Sequence, residues 1–192
     1  MRIILSIVFI CINFVAFGQT KPIYFSNGRV VSDSTKANEY GVYGKVTDEG
    51  VYVLKRYDLY DNLKSAGSFK DENLEIPHGE FTFYDDVNLF NRLNNTAYDL
   101  KGKYRYMFAR GSFVDGKQSG SWYMFYPDGN VLSIQTYTNG ILNGFFGSYD
   151  RKGRNISSGA YKDGKKDGEW SIKKGKVVEN YKDGVKQPKK KN

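Results

Sequence analysis

The chain has 192 residues, 40% hydrophobic and 16% aromatic, enough for one domain of ordinary size and too apolar for a disordered polymer. Its net charge of +8 is uneven, with 14 Lys/Arg against 5 Asp/Glu over residues 151–192 but 14 against 16 over residues 19–150. A single cysteine, Cys11, excludes an internal disulfide, and a single histidine, His78, is a poor start for a zinc site or a nucleophile triad.

Residues 1–18 open with Arg2, run apolar from Ile3 to Phe17 and end small-x-small at Ala16-Phe17-Gly18. This pattern predicts a signal peptide, since the run falls short of the ~20 residues that span a bilayer core. Cleavage would remove Cys11 and leave no thiol. Export would place the protein in the periplasm, at the outer membrane or outside the cell, and it argues against nucleic acid as a partner. Residues 19–40 read as a leader or capping segment with one hairpin signal at Ser26-Asn27-Gly28.

Residues 41–110 carry degenerate copies of a unit that becomes regular further on. "GSFKDENLEIPHGEFTFY", 67–84, matches "GSFVDGKQSGSWYMFY", 111–126, and "YDLYDNLKSAGSF", 57–69, matches the second half of a unit. Residues 85–103, "DDVNLFNRLNNTAYDLKGK", are an insertion where the regular units have a three-residue turn.

Residues 111–185 are the regular array. Phe113, Tyr137, Tyr161 and Tyr181 are each followed two residues on by a turn pair: Asp115-Gly116, Asn139-Gly140, Asp163-Gly164 and Asp183-Gly184. A second glycine, Gly120, Gly144 or Gly168, stands two residues before Trp122, Phe146 or Trp170. The resulting period is about 24 residues. Runs such as "SWYMFY" and "VLSIQTY" have strand composition, and Asp-Gly or Asn-Gly accepts the positive φ of a tight hairpin turn. The expected fold is all-β, an elongated, curved antiparallel sheet of successive β-hairpin repeats. Alternation puts Trp122, Met124 and Tyr126 on one face, in a column with Phe146 and Trp170, and Tyr123 and Phe125 on the other. Residues 186–192 form a basic tail with Lys186, Lys189, Lys190 and Lys191.

The stretches "DGKQSGSWYMFYPDGNVLSIQTY", "NGILNGFFGSYDRKGRNISSGAY" and "DGKKDGEWSIKKGKVVENY" resemble the MORN-variant repeat found in the YwqK-type antitoxin family and in exported bacterial proteins. The resemblance is strong over 111–185 and partial over 57–84. It implies an elongated, curved sheet of hairpins used as a non-catalytic scaffold, and it carries no site residue across.

The carboxylates at Asp115, Asp128, Asp163 and Asp183 precede turn glycines, so turn chemistry accounts for them. No glycine motif opens a helix as a phosphate cradle would, and the spaced glycines read as turn glycines. Lys117 and Lys165, after the turns, read as a solvated edge. A glycan-cleaving enzyme would need a carboxylate pair off the turns, such as Glu80 with Asp99.

What remains is a binding surface of aromatics: Tyr123 and Phe125 on the second face, with Phe90, Tyr98, Tyr104 and Tyr106 in and beside the insertion. The expectation is an exported non-enzymatic scaffold, without cofactor or metal, for a protein or an envelope polymer. The alternative is an immunity or antitoxin protein of a toxin pair. The basic tail adds a weak, salt-screened attraction to an anionic membrane surface.

Overall fold

A computed structural model describes residues 21–46, 50–172 and 174–188; the leader over 1–18 and Lys189, Lys190 and Lys191 of the tail lie outside them. The elements are β1 Lys21–Ser26, β2 Arg29–Val31, β3 Glu39–Val46, β4 Val51–Asp58, β5 Leu63–Phe69, β6 Gly79–Asp86, α1 Val87–Asn94, β7 Arg105–Val114, β8 Lys117–Phe125, β9 Val131–Thr138, β10 Ile141–Tyr149, β11 Asn155–Lys162, β12 Lys165–Ile172, β13 Val177–Lys182 and β14 Val185–Lys186. All the strands join one open antiparallel sheet of 14, in which every strand from β3 to β14 lies beside its neighbours in the chain. Only the start departs from this order: β1 sits between β3 and β2, so the segment read as leader or cap supplies the sheet edge.

The hairpins turn where Asp-Gly and Asn-Gly demand it. Asp115, Asn139, Asp163 and Asp183 all have φ between 49° and 52°, and each following glycine is also positive, the type I′ geometry that matches strand twist. The amide of that glycine donates back to the preceding hairpin: Gly116 to Pro77 O, Gly140 to Gln118 O, Gly164 to Leu142 O and Gly184 to Lys166 O, at 2.8–2.9 Å. Each turn is therefore tied to the hairpin before it. Lys117 and Lys165 lay their Cβ atoms against Gly140 and Gly184 of the next turn, within 3.7 Å and 3.5 Å of where a glycine Cβ would stand, so these lysines pack as well as face water.

Gly120, Gly144 and Gly168, expected at turns, lie instead inside β8, β10 and β12, again at positive φ. They stand directly across from Tyr137, Tyr161 and Tyr181. The reason is a bulge. Residues 120–122 of β8 fill the space of the single residue Gly111 on β7, and residues 168–170 of β12 fill that of Gly159 on β11.

The extra residues tip Trp122 and Trp170 flat across those two glycines. A Cβ at Gly111 would stand only 2.2 Å from the ring of Trp122, one at Gly159 2.3 Å from that of Trp170, and one at Gly67 2.3 Å from that of Phe81, far inside contact distance. The indole Nε1 atoms then donate to Ser112 O and Ala160 O, at 3.1 Å and 3.0 Å. Ring contacts run along this face from Phe69 through Phe81, Phe113 and Trp122 to Tyr137, with centroids 5.0–6.4 Å apart. They run again from Phe146 through Tyr161 and Trp170 to Tyr181. Phe25, Leu54, Phe69 and Phe81 form the buried cluster at the N-terminal end of the same face.

The 85–103 insertion is a helix and a return loop. Asp86 caps α1, its Oδ1 accepting from Leu89 N at 2.8 Å, and Asn95 closes it in the left-handed region at φ 50°. Val87 is buried, and the amide of Val87 donates to Tyr104 O, which ties the two ends of the insertion together above the β6–β7 pair. No helix among the described residues is long and apolar enough to cross a membrane.

The seat for the tryptophan gives a sharp test. Gly111→Ala should lower Tm by roughly 4–10 °C, through about 2–3 kcal/mol of overpacking against Trp122. Gly129→Ala, at a positive-φ turn open to solvent, should cost about 1 kcal/mol and at most half that shift. Thermal melts of the two variants beside the parent decide it; equal shifts would mean that the ring is not seated on the glycine.

Candidate functional site

The ring-bearing face holds three adjoining cavities that together form a groove. One of about 260 Å³ is walled by Phe25, Leu54, Phe69 and Phe81 with Arg56 at its margin. The next, about 360 Å³, shares Arg56, Ser65 and Phe83 with the first and is flanked by Glu39, Lys64 and Asp85. The third, about 290 Å³, shares Phe83 and Phe108 with the second and continues over Trp122, Met124, Gln118 and Gln135 to Tyr137. From Leu54 on β4 to Tyr137 on β9 it crosses five strand spacings, about 24 Å at ~4.8 Å each.

Strand pairing explains why these side chains share one face. Arg56 is opposite Ser65, Ser65 opposite Phe83, Phe83 opposite Ala109, and Ala109 opposite Met124, an unbroken cross-strand row. A bulge between Phe83 and Tyr84 lets Phe108 turn toward the groove as well, where its ring meets Phe83 at 6.2 Å.

The polar part of the groove is a closed charge cluster. Glu39 is 7% exposed and accepts from both Arg56 and Lys64, the latter at 2.5 Å. Burial works against its charged form, but the Lys64 hydrogen bond and the Arg56 charge outweigh it and hold the carboxyl below its ordinary value of 4.5. The Arg56 guanidinium also lies 4.3 Å from the centroid of Phe25, while its Nε–H is buried with no partner among the described residues. One step away, Arg105 pairs with Asp58 at 2.6 Å. Among the described residues no group of three or more His, Cys, Asp or Glu could hold a metal ion.

The residues expected to bind are divided by the fold. Phe90, Tyr98 and Tyr106 come together, Phe90 meeting the other two edge-on at 5.8 Å and 5.7 Å. Tyr106 is buried, its phenol pushed up to about 12 by burial and by Asp85, and the Tyr98 hydroxyl is enclosed without a partner among the described residues. These rings therefore fasten α1 to the sheet, helped by Tyr126, whose ring meets Phe90 at 6.3 Å, and by the Arg151 guanidinium over Tyr98. Tyr104 stands apart, 64% exposed.

Tyr123 and Phe125 lie on the opposite face, stacked at 6.3 Å with the Arg110 guanidinium 5.5 Å from Tyr123. Lys186, read with the tail, belongs to β14 and pairs with Glu179. Glu80 is the second residue of β6, whereas Asp99 lies beyond its other end; the six residues to Asp86 span about 20 Å, so the two carboxylates do not pair. His78 sits beside a turn, accepting from Asp115 N at Nδ1 over 3.4 Å.

The groove residues Phe83, Phe108, Gln118 and Gln135 were not singled out from the sequence. Their signal was a glutamine at 135, 24 residues after Gly111 and 24 before Gly159, where the neighbouring units have the strand glycine.

The Glu39 cluster makes stability depend on pH with a defined sign. A carboxyl whose pKa is depressed on folding stabilises the native state above its unfolded pKa, and that contribution fades as pH falls through the folded value. Glu39→Gln should therefore cost about 2 kcal/mol near pH 7, and the gap between parent and variant should close as pH drops below about 4. Urea midpoints across pH 3 to 7 would show it; a gap constant with pH would remove the cluster's role. No family model matches the chain, and no curated protein matches it either.

Proposed function

We propose that the protein is an exported, non-enzymatic scaffold of the cell envelope that holds a protein or a surface polymer against its open sheet face. The observation that supports this is the single layer of the fold. Domains ordinarily bury a sheet face under a second sheet or several helices. Here one eight-residue helix lies against one end of the ring-bearing face, and the groove beside it stays open. Half-buried rings on a rigid sheet lose little freedom on binding, which makes them good anchors for a partner.

Two double variants separate the faces. The chain from residue 19 to 192, immobilised and exposed to envelope extract, should retain a component that is lost with Phe108→Ser/Met124→Ser and kept with Tyr123→Ser/Phe125→Ser. Loss through the Tyr123/Phe125 pair alone would move the binding surface to the second face. Retention by neither parent nor variants would overturn the scaffold reading.

A further inference from the structure

We infer that the occupant of the groove is a neutral, linear glycan, which rests on the scaffold reading and narrows it to one chemistry. Four features of the groove select this ligand.

The first is charge. The central cavity is flanked by two carboxylates, Glu39 and Asp85, and two cations, Arg56 and Lys64, so its formal charge is zero. Glu39 already satisfies Arg56 and Lys64. An anionic polymer would have to compete with that carboxylate and a cationic one with the two basic groups, whereas an uncharged ligand leaves the cluster intact.

The second is the groove floor. It is the face of a sheet whose strands are paired on both sides throughout the groove, from β4 to β9. An extended peptide gains much of its affinity by adding a strand at a sheet edge; the edge strand β2 reaches only the first cavity, through Val30, and the two cavities beyond it offer no edge. A ligand bound through rings and side-chain polar groups is not penalised in this way.

The third is the pairing of ring faces with planar amides. Phe83, Phe108 and Trp122 supply the apolar floor, and Gln118 and Gln135 stand among them. Each amide carries both a donor and an acceptor, the match for hydroxyl groups that are themselves both. Gln135 Oε1 already accepts from the Tyr137 hydroxyl at 2.7 Å, which fixes its orientation and leaves its NH₂ free to donate.

The fourth is length. A groove of about 24 Å, open along its course, accommodates several linked rings rather than one, so affinity should rise with chain length until the groove is filled.

The test uses the chain from residue 19 to 192 and isothermal titration with defined oligosaccharides: hexamers of β-1,4-linked glucose, β-1,4-linked N-acetylglucosamine and α-1,4-linked glucose, each beside its disaccharide. At least one hexamer should bind, at least tenfold more tightly than its disaccharide, with a Kd that changes less than twofold between about 0.05 and 0.5 M salt. Gln118→Ala and, separately, Phe108→Ala should weaken it at least tenfold with the near-ultraviolet circular dichroism unchanged. If Phe108→Ala fails to fold, Gln118→Ala alone carries the test, because its side chain lies at the groove surface. Absence of binding by every hexamer, while the same protein still retains a protein or a charged polymer from envelope extract through Phe108 and Met124, overturns the glycan and leaves the scaffold. Hexamer binding untouched by both variants overturns the groove as its site.

Discussion

A sheet with no second layer has to bury its apolar surface within its own thickness, and this chain does so by laying a large ring flat across a glycine on the neighbouring strand. The energetics favour the exchange. A ring of this class buries roughly 200 Å², which at about 25 cal/mol per Å² amounts to roughly 5 kcal/mol as an upper bound. A glycine inside a strand costs about 1 kcal/mol of backbone freedom. Trp170, at 1% exposure, is the fullest instance, with Gly159 beneath it, Lys166 within 4.2 Å of its centroid and Tyr161 and Tyr181 edge-on at its sides. The bulges at residues 120–122 and 168–170 are what tilt the rings down, so the irregularity of the strands and the burial of the core are one feature.

Much of the architecture could be read from the residues because hairpin turns are decided locally. Asp-Gly and Asn-Gly suit a tight turn between two strand-like runs, and the four pairs that follow Phe113, Tyr137, Tyr161 and Tyr181 turn the chain as expected, whereas Asn143-Gly144 and Asp167-Gly168 lie within β10 and β12. The placing of Trp122, Phe146 and Trp170 on one face, with Tyr123 on the other, followed from period-two alternation. The strand glycines were harder. Gly120 and Gly168 look like turn residues because positive φ suits both a turn and a bulge, and only the partner strand distinguishes them. Gly67, Gly111 and Gly159 carry no local mark at all; their role is to be absent beneath a ring from another strand.

The insertion was visible as a break in the period but not as a helix, since eight residues of "VNLFNRLN" offer too few turns for a periodic signal. Its rings were legible as a group, yet their exposure was not. Phe90, Tyr98 and Tyr106 are aromatic because they attach a helix to the end of a sheet, a packing role that composition alone cannot distinguish from recognition. The Glu39–Arg56–Lys64 cluster was invisible for a related reason. Its members come from β3, from β4 and from the start of β5, and only the pairing of those strands sets two basic groups around one buried carboxylate.

The groove lies where the chain departs from its own rule. In the units that hold Gly111 and Gly159, the ring of the next strand closes down on the glycine. At Gln135 a side chain stands in place of that glycine, and Phe146, directly across from it, packs against Tyr161 and Trp170. The ring contacts that end at Tyr137 resume at Phe146, and the groove reaches Gln135 and Tyr137. Midway along, where the second and third cavities meet, the bulge between β6 and β7 beside the insertion turns Phe108 inward. A strictly regular array would have buried every ring against the next. It is the glutamine in place of glycine and the bulge beside the helix that leave rings and amides facing an open channel, so the same departures that blur the repeat in the sequence shape the groove.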